Sequence, residues 1–210
     1  MDLLRQARDL LADFPCPWAF CGGYALEVFA GREIRPHGDI DLCIFEPHRA
    51  QIIAHLLRKG WRLYEYRGMG KVKPLHDSAC SESGRSLMAL LPDCPLVDFF
   101  PCEEEGLLYH QFRHAGMTEL RFLDLLFSRT QGDALQVIGV TRPLDKAVLL
   151  RHGMPILAPE IALLYKASRP EEASAQLDFA AVAPLLNDEQ RTWLRSALAA
   201  HFPAGHPWLT

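Results

Sequence analysis

Several features are missing from this sequence, and each absence excludes a class of protein. No stretch approaches 18 consecutive apolar residues, so no membrane-spanning helix is expected. The opening residues, MDLLRQARDLLADF, carry charges throughout and lack the apolar core of a secretory signal. A soluble cytoplasmic protein follows as the expectation. The six cysteines include no CxxC pair, which argues against zinc and for reduced thiols that act as small hydrophobes. Basic charge is not in surplus: 22 Lys and Arg face 26 Asp and Glu, for a net charge of −4. That balance does not suit a protein built to coat nucleic acid. No internal repeat or low-complexity tract occurs, and the 14 glycines and 15 prolines follow no period.

What remains is a 210-residue chain that is 49% hydrophobic, enough to bury roughly 70% of its surface without disulfides. Helical spacing of Leu3, Leu4, Ala7, Leu10 and Leu11 opens it. A short strand is expected at 18–21, a helix at 24–30 ended by Gly31, a strand at 39–45 and a helix at 47–59. Strands follow at 61–67, 85–91 and 96–100. Residues 107–112 and 134–140 also read as strands, while 118–127 suits helix or strand equally. The end is helical, at 158–168, 173–186 and 188–201, with Asn187 and Gln190 placed as a capping box. The fold class expected is α/β (α+β): a mixed twisted sheet flanked by helices. The expected division is a core at residues 1–155 and a helical region at 156–210.

Chemistry concentrates in one segment, from Cys21 to Leu42. Gly22 and Gly23 stand at a strand-to-helix junction, where glycine lets backbone approach closely and helix N–H groups can meet phosphate oxygens. Asp39 and Asp41 follow about fifteen residues later on the next strand. Residues i and i+2 of a strand face one side, so these two carboxylates project together. Side by side they repel unless a cation lies between them, and a hard divalent ion such as Mg²⁺ is the natural occupant. A third strand carboxylate would complete a two-metal site; Asp98, a lone acid within an apolar run, is the candidate. Arg35 and His37, just before the acidic pair, suit support of a carboxylate or phosphate. Glu27 reads as a solvated helix residue. His110, His114, His152 and His206 have no ligand spacing among them.

Gly-Gly, Asp-x-Asp and a later strand aspartate resemble the polymerase-β-type nucleotidyltransferase superfamily. Gly22 to Leu26, Gly31-Arg32, Arg35-x-His37 and Asp39 to Leu42 are similar to the small bacterial aminoglycoside and lincosamide nucleotidyltransferases. The later segments Leu157 to Ala167, Asp178-Phe179, Arg191-x-Trp193-Leu194 and Pro207 to Leu209 resemble the same aminoglycoside-2″-adenylyltransferase-like family. The resemblance implies Gly22 and Gly23 at the nucleotide triphosphate, Asp39 and Asp41 on two Mg²⁺ ions, and Asp98 as third ligand or base. It further implies Lys166 at phosphate, with Glu103 and Asp178 toward substrate. Residues 107–141 are longer than the corresponding family segment and read as an insertion.

The implied reaction is Mg²⁺-dependent transfer of a nucleoside monophosphate, AMP from ATP being the foremost case. The acceptor is a small-molecule hydroxyl, such as that of an aminoglycoside-like antibiotic. The acidic run Glu103–Glu105 could draw a polycationic acceptor. Partners are therefore a nucleotide and a small molecule, not membrane or nucleic acid, for a monomer or homodimer. The alternatives are a toxin–antitoxin-type transferase acting on tRNA or protein, and a non-catalytic nucleotide-binding module.

Overall fold

The structure is a computed structural model that describes residues 2–113 and 117–209. His114, and with it part of the expected insertion, lies outside the described residues. In chain order the elements begin with α1 (Asp2–Leu10), β1 (Trp18–Phe20), α2 (Gly22–Ala30), β2 (Asp41–Phe45) and α3 (Arg49–Arg58). Then come β3 (Arg62–Gly68), β4 (Lys71–Leu75), β5 (Leu87–Leu90), β6 (Val97–Pro101), β7 (Leu108–Phe112) and β8 (Phe122–Ser128). Next are β9 (Thr130–Gln131), β10 (Ala134–Val137), β11 (Val140–Pro143), α4 (Leu144–Ala147), β12 (Val148–Arg151) and β13 (Met154–Leu157). The chain ends with α5 (Pro159–Lys166), α6 (Ala173–Val182) and α7 (Asp188–His201). Among the described residues no helix is long and apolar enough to cross a membrane.

The chain divides into two compact units, but not at residue 155. Unit 1 holds residues 1–18 and 38–128; unit 2 holds 19–37 and 129–210. The reason is that α2 packs on α5 and α6, which draws an early segment of sequence into the unit built by the end of the chain.

Unit 1 is a curled mixed sheet with the hydrogen-bonded order β2-β8-β5-β3-β4-β7-β6. Its registers define its two faces, because directly opposed residues share a side. One rung runs Asp41–Asp124–Met88–Tyr64 across β2, β8, β5 and β3. The neighbouring rung, Leu42–Leu125–Leu87, points the other way. That second side is covered by α3, whose Ile52, Ile53 and Leu56 are fully buried and whose Arg49 lies 3.5 Å over the Phe127 ring. The first side curls around its own apolar cluster, in which Tyr64, Val72, Met88, Leu90, Val97 and Phe122 are buried and Phe99 and Leu108 pack beside them. Residues 118–127, ambiguous in sequence, are thus mostly strand, parallel to β2. The alternation that identifies a strand is masked there because both faces of β8 are covered.

Unit 2 pairs β1 with β13 in parallel and β13 with β12 antiparallel, and adds the small sheet β11-β10-β9. Its helical part matches the expectation. The Asn187 side chain accepts from the Gln190 amide and the Gln190 side chain accepts from the Asn187 amide, so α7 starts in a capping box.

Candidate active site

In unit 1, Asp41 opens β2 and Asp39 lies two residues before it. The expected same-side projection holds: Asp39, Asp41 and Asp124 bring carboxylate oxygens that all lie within 4.8 Å of one another. The third member is therefore Asp124 on β8, directly opposite Asp41 in the parallel register. Burial disfavours an ionised carboxyl, and nearby like charges add to that effect. Burial first, then the Asp41 and Asp39 charges, push the Asp124 carboxyl up to about 7, against a hydrogen bond from Tyr66 that opposes the shift. The Tyr66 hydroxyl donates to Asp124 Oδ1 at 2.7 Å. Burial and the same acids push the phenol far above its ordinary range, so it stays a donor.

Asp98 does not join this group. It sits on β6, the last strand of the order, opposite Gln111. Its neighbours Val97 and Phe99 pack into the apolar cluster, so period-2 alternation turns Asp98 to the opposite face from Asp124. There Arg113 grips it through two hydrogen bonds of 2.5 Å, and that guanidinium holds its pKa below the usual range. Glu103 accepts from the Tyr109 hydroxyl at 3.3 Å and Glu104 pairs with Lys71. Tyr109 and Lys71 are register partners that alternate with Leu108 and Val72 of the cluster, so the acidic run also engages the face away from the triad. A signal for Asp124 did exist in the sequence. Phe122-Leu-Asp-Leu-Leu is as much a lone acid in an apolar run as the stretch around Asp98.

In unit 2, the glycine pair opens α2. Gly22 has φ of +63°, a left-handed conformation that disfavours any side chain. Gly23 is needed for space. A Cβ there would lie 2.1 Å from His37 Cε1 and 2.7 Å from an Arg35 guanidinium nitrogen. Arg35 and His37 thus lie directly over the first turn of the helix, where backbone N–H groups have no intrahelical acceptor. Cys21 supplies no side-chain cap, and no acid occupies that turn. The His37 ring is fixed by Tyr24, 4.3 Å away between centroids, and by Glu27, whose oxygen lies 2.9 Å from Nε2.

Glu27 is not the solvated residue expected. It is 9% exposed and accepts from the Ile34 and Arg35 amides at 2.8 and 3.1 Å. Burial pushes its pKa up, but those two amides and His37 outweigh it, and the net shift is downward. Glu27 is therefore the ionised anchor of the segment that carries Arg35 and His37. Asp178 is fully buried beneath the cations, so it does not meet a substrate directly. It accepts from Arg35 Nε and Nη2 at 3.1 and 3.0 Å and lies 2.9 Å from Lys166 Nζ. One carboxylate thus holds two cations beside the glycine turn.

The family model for aminoglycoside-2''-adenylyltransferase matches residues 3–72. Solved structures share the fold at low identity. The antibiotic-resistance factor ANT(2'')-Ia in solution is 14% identical, with a TM-score of 0.56 over 97% of this chain and 92% of that one. ANT(2'')-Ia in complex with adenylyl-2''-tobramycin is 16% identical, with a TM-score of 0.54, covering 96% of this chain and 97% of that one. The lincomycin-bound lincosamide antibiotic adenylyltransferase LnuA is 15% identical, with a TM-score of 0.52, covering 88% and 97%. No curated protein matches by sequence. Residues 3–72 are thus similar in sequence to the aminoglycoside-2''-adenylyltransferase family, and the fold is shared with the ANT(2'')-Ia and LnuA structures.

Proposed function

We propose that this protein transfers a nucleoside monophosphate, from ATP as the foremost donor, to the hydroxyl of a small molecule of the antibiotic class. The observation that carries this reading is the carboxylate triad Asp39–Asp41–Asp124 on adjacent strands. Three oxygen ligands at mutual repulsion distance suit Mg²⁺, which prefers carboxylate and phosphate oxygens. When bound, Mg²⁺ would supply charge neutralisation and polarisation of the phosphates.

The chain's own groups divide the remaining tasks. In unit 2, Gly23 lets Arg35 and His37 close against the first turn of α2, and Arg35 and Lys166, both held by Asp178, are the cations that suit phosphate oxygens. Asp39 and Asp41 are the metal ligands. Asp124, whose carboxylate oxygen lies within 4.8 Å of theirs, accepts the proton of the attacking hydroxyl as the new oxygen–phosphorus bond forms and pyrophosphate departs. Tyr66 keeps Asp124 aimed through its hydroxyl.

The test is thermal stabilisation by each of ATP, GTP, CTP and UTP, with and without Mg²⁺, on wild type and Asp39→Asn. A nucleotide at 100 times its dissociation constant adds about 2.7 kcal/mol. A Mg²⁺-dependent shift lost in the variant supports the reading and identifies the donor. Absence of a shift with every nucleotide overturns it in favour of a non-catalytic module.

A further inference from the structure

Beside the triad, the same face of unit 1 continues into a strip of aromatic side chains that the reaction described above does not use. Tyr66, hydrogen-bonded to Asp124, meets the His110 ring edge-on at 5.6 Å. His110 meets Phe112 edge-on at 5.3 Å, and Phe112 meets Phe122 edge-on at 5.6 Å. The registers put these residues on one side: Leu108 opposes Val72 of the apolar cluster, and His110 and Phe112 alternate in phase with Leu108 along β7. Phe122, at the back, is 1% exposed, whereas Phe112 is 46% exposed. An exposed ring supported by a buried one is a rigid apolar platform, costing little conformational entropy when a ligand stacks on it. His110 is fixed as well. Its Nδ1 lies 2.8 Å from the Gly70 carbonyl, which can only accept, so Nδ1 carries the proton and Nε2 is the acceptor in the neutral ring.

Charge on this face points the same way. Glu103, Glu104 and Asp98 are engaged with Tyr109, Lys71 and Arg113 on the opposite side. The strand positions around the strip are Val97, Phe99 and Leu108. Apart from the triad, whose charge the proposed Mg²⁺ would offset, the strand positions named here offer no carboxylate to an amine. A polyamine needs carboxylates spread along its length, and the edge-to-face packing of the strip leaves Phe112 as its one half-exposed phenyl ring rather than a cage. A hydroxyl compound with one apolar flank needs a platform and a single polar contact.

We propose that the Tyr66–His110–Phe112 strip is the acceptor-recognition surface, and that it selects an amphipathic hydroxyl compound of low charge over a polycation. This rests on the nucleotidyl-transfer reading of the triad. Phe112 stacks against the apolar flank, His110 Nε2 accepts from a ligand N–H or O–H, and the strip leads the hydroxyl toward Asp124.

The test is calorimetric titration of two probes into full-length protein loaded with Mg²⁺ and a nucleotide analogue carrying a non-cleavable α–β bridge. Lincomycin, with one amine and an alkyl chain, represents the amphipathic class; tobramycin, a polyamine, represents the polycations. Lincomycin is expected to bind at least tenfold more tightly, and Phe112→Ala and His110→Ala are each expected to weaken it tenfold or more, with Phe112→Trp retaining it. Tighter binding of tobramycin, no binding of lincomycin, or unchanged affinity in both alanine variants overturns the inference. The nucleotide-induced thermal shift, measured on the same samples, separates the two readings. If the shift is present and lincomycin is indifferent to Phe112, only the acceptor surface is wrong; if wild type shows no shift, the nucleotidyl-transfer reading has failed.

Discussion

Unit 1 gathers Asp39, Asp41 and Asp124 so closely that burial and mutual repulsion drive one carboxyl toward neutrality. Unit 2 gathers charge too, but there Asp178 is enclosed by Arg35 and Lys166, and Glu27 by two backbone amides and His37. The first arrangement stores unfavourable energy that a bound cation would relieve. The second is an internal network in which each carboxylate already has its partners. Clustered charge therefore has two meanings in this molecule, and the sign of the response to substitution separates them.

The largest effect should follow from Asp41→Asn. Turnover is expected to fall at least about 100-fold, since the proposed Mg²⁺ site would lose one of its oxygen ligands. In metal-free protein the same variant should melt no lower than wild type, because one repulsive charge is gone. A clearly lower melting temperature would mean that the triad is structural. In unit 2 the sign reverses. Arg35→Ala leaves Asp178 buried with one partner fewer and should cost about 3 kcal/mol in denaturant unfolding, together with nucleotide affinity. Unchanged stability would mean that Lys166 alone satisfies Asp178.

Gly23→Ala sharpens the comparison further. Its methyl must displace the His37 ring, which Tyr24 and Glu27 hold in place, at a cost of about 1–3 kcal/mol. Nucleotide affinity should fall with stability; if only stability falls, the glycine turn does not touch phosphate. The pH dependence of unit 1 follows from Asp124. Its folded pKa, about 7, lies above the ordinary 3.8, so the folded state holds the proton more tightly. The associated stability is present below pH 4 and is lost as pH rises through 7. Metal-free protein should show this decline in its melting temperature, and Asp124→Asn should flatten it. The smallest effect belongs to Asp98→Asn. Turnover should stay within about twofold, because Asp98 faces away from the triad and only Arg113 loses a partner. A loss like that of Asp41→Asn would restore Asp98 to the catalytic group.

What could be read from the sequence has a common character. The Gly22-Gly23 turn, the same-side projection of Asp39 and Asp41 and the Asn187 capping box depend on spacings of one to four residues, which backbone geometry enforces wherever the segment ends up. The choice between Asp98 and Asp124 could not be made that way. Both are lone acids in apolar strands, and only the strand order puts one beside Asp41 and turns the other to the far face. Glu27 looked solvated because helical periodicity says nothing of the later segment whose amides fold back onto it. Asp178, some 140 residues from Arg35, was visible as a motif but not as a buried counter-ion. The sequence by itself determined the chemistry available: a phosphate-suited turn, a carboxylate pair and cations. Which carboxylate completes the triad, and which anions are already satisfied, was decided by long-range strand order and helix packing, because pairing partners and register are set by burial across the whole sheet rather than within any one strand.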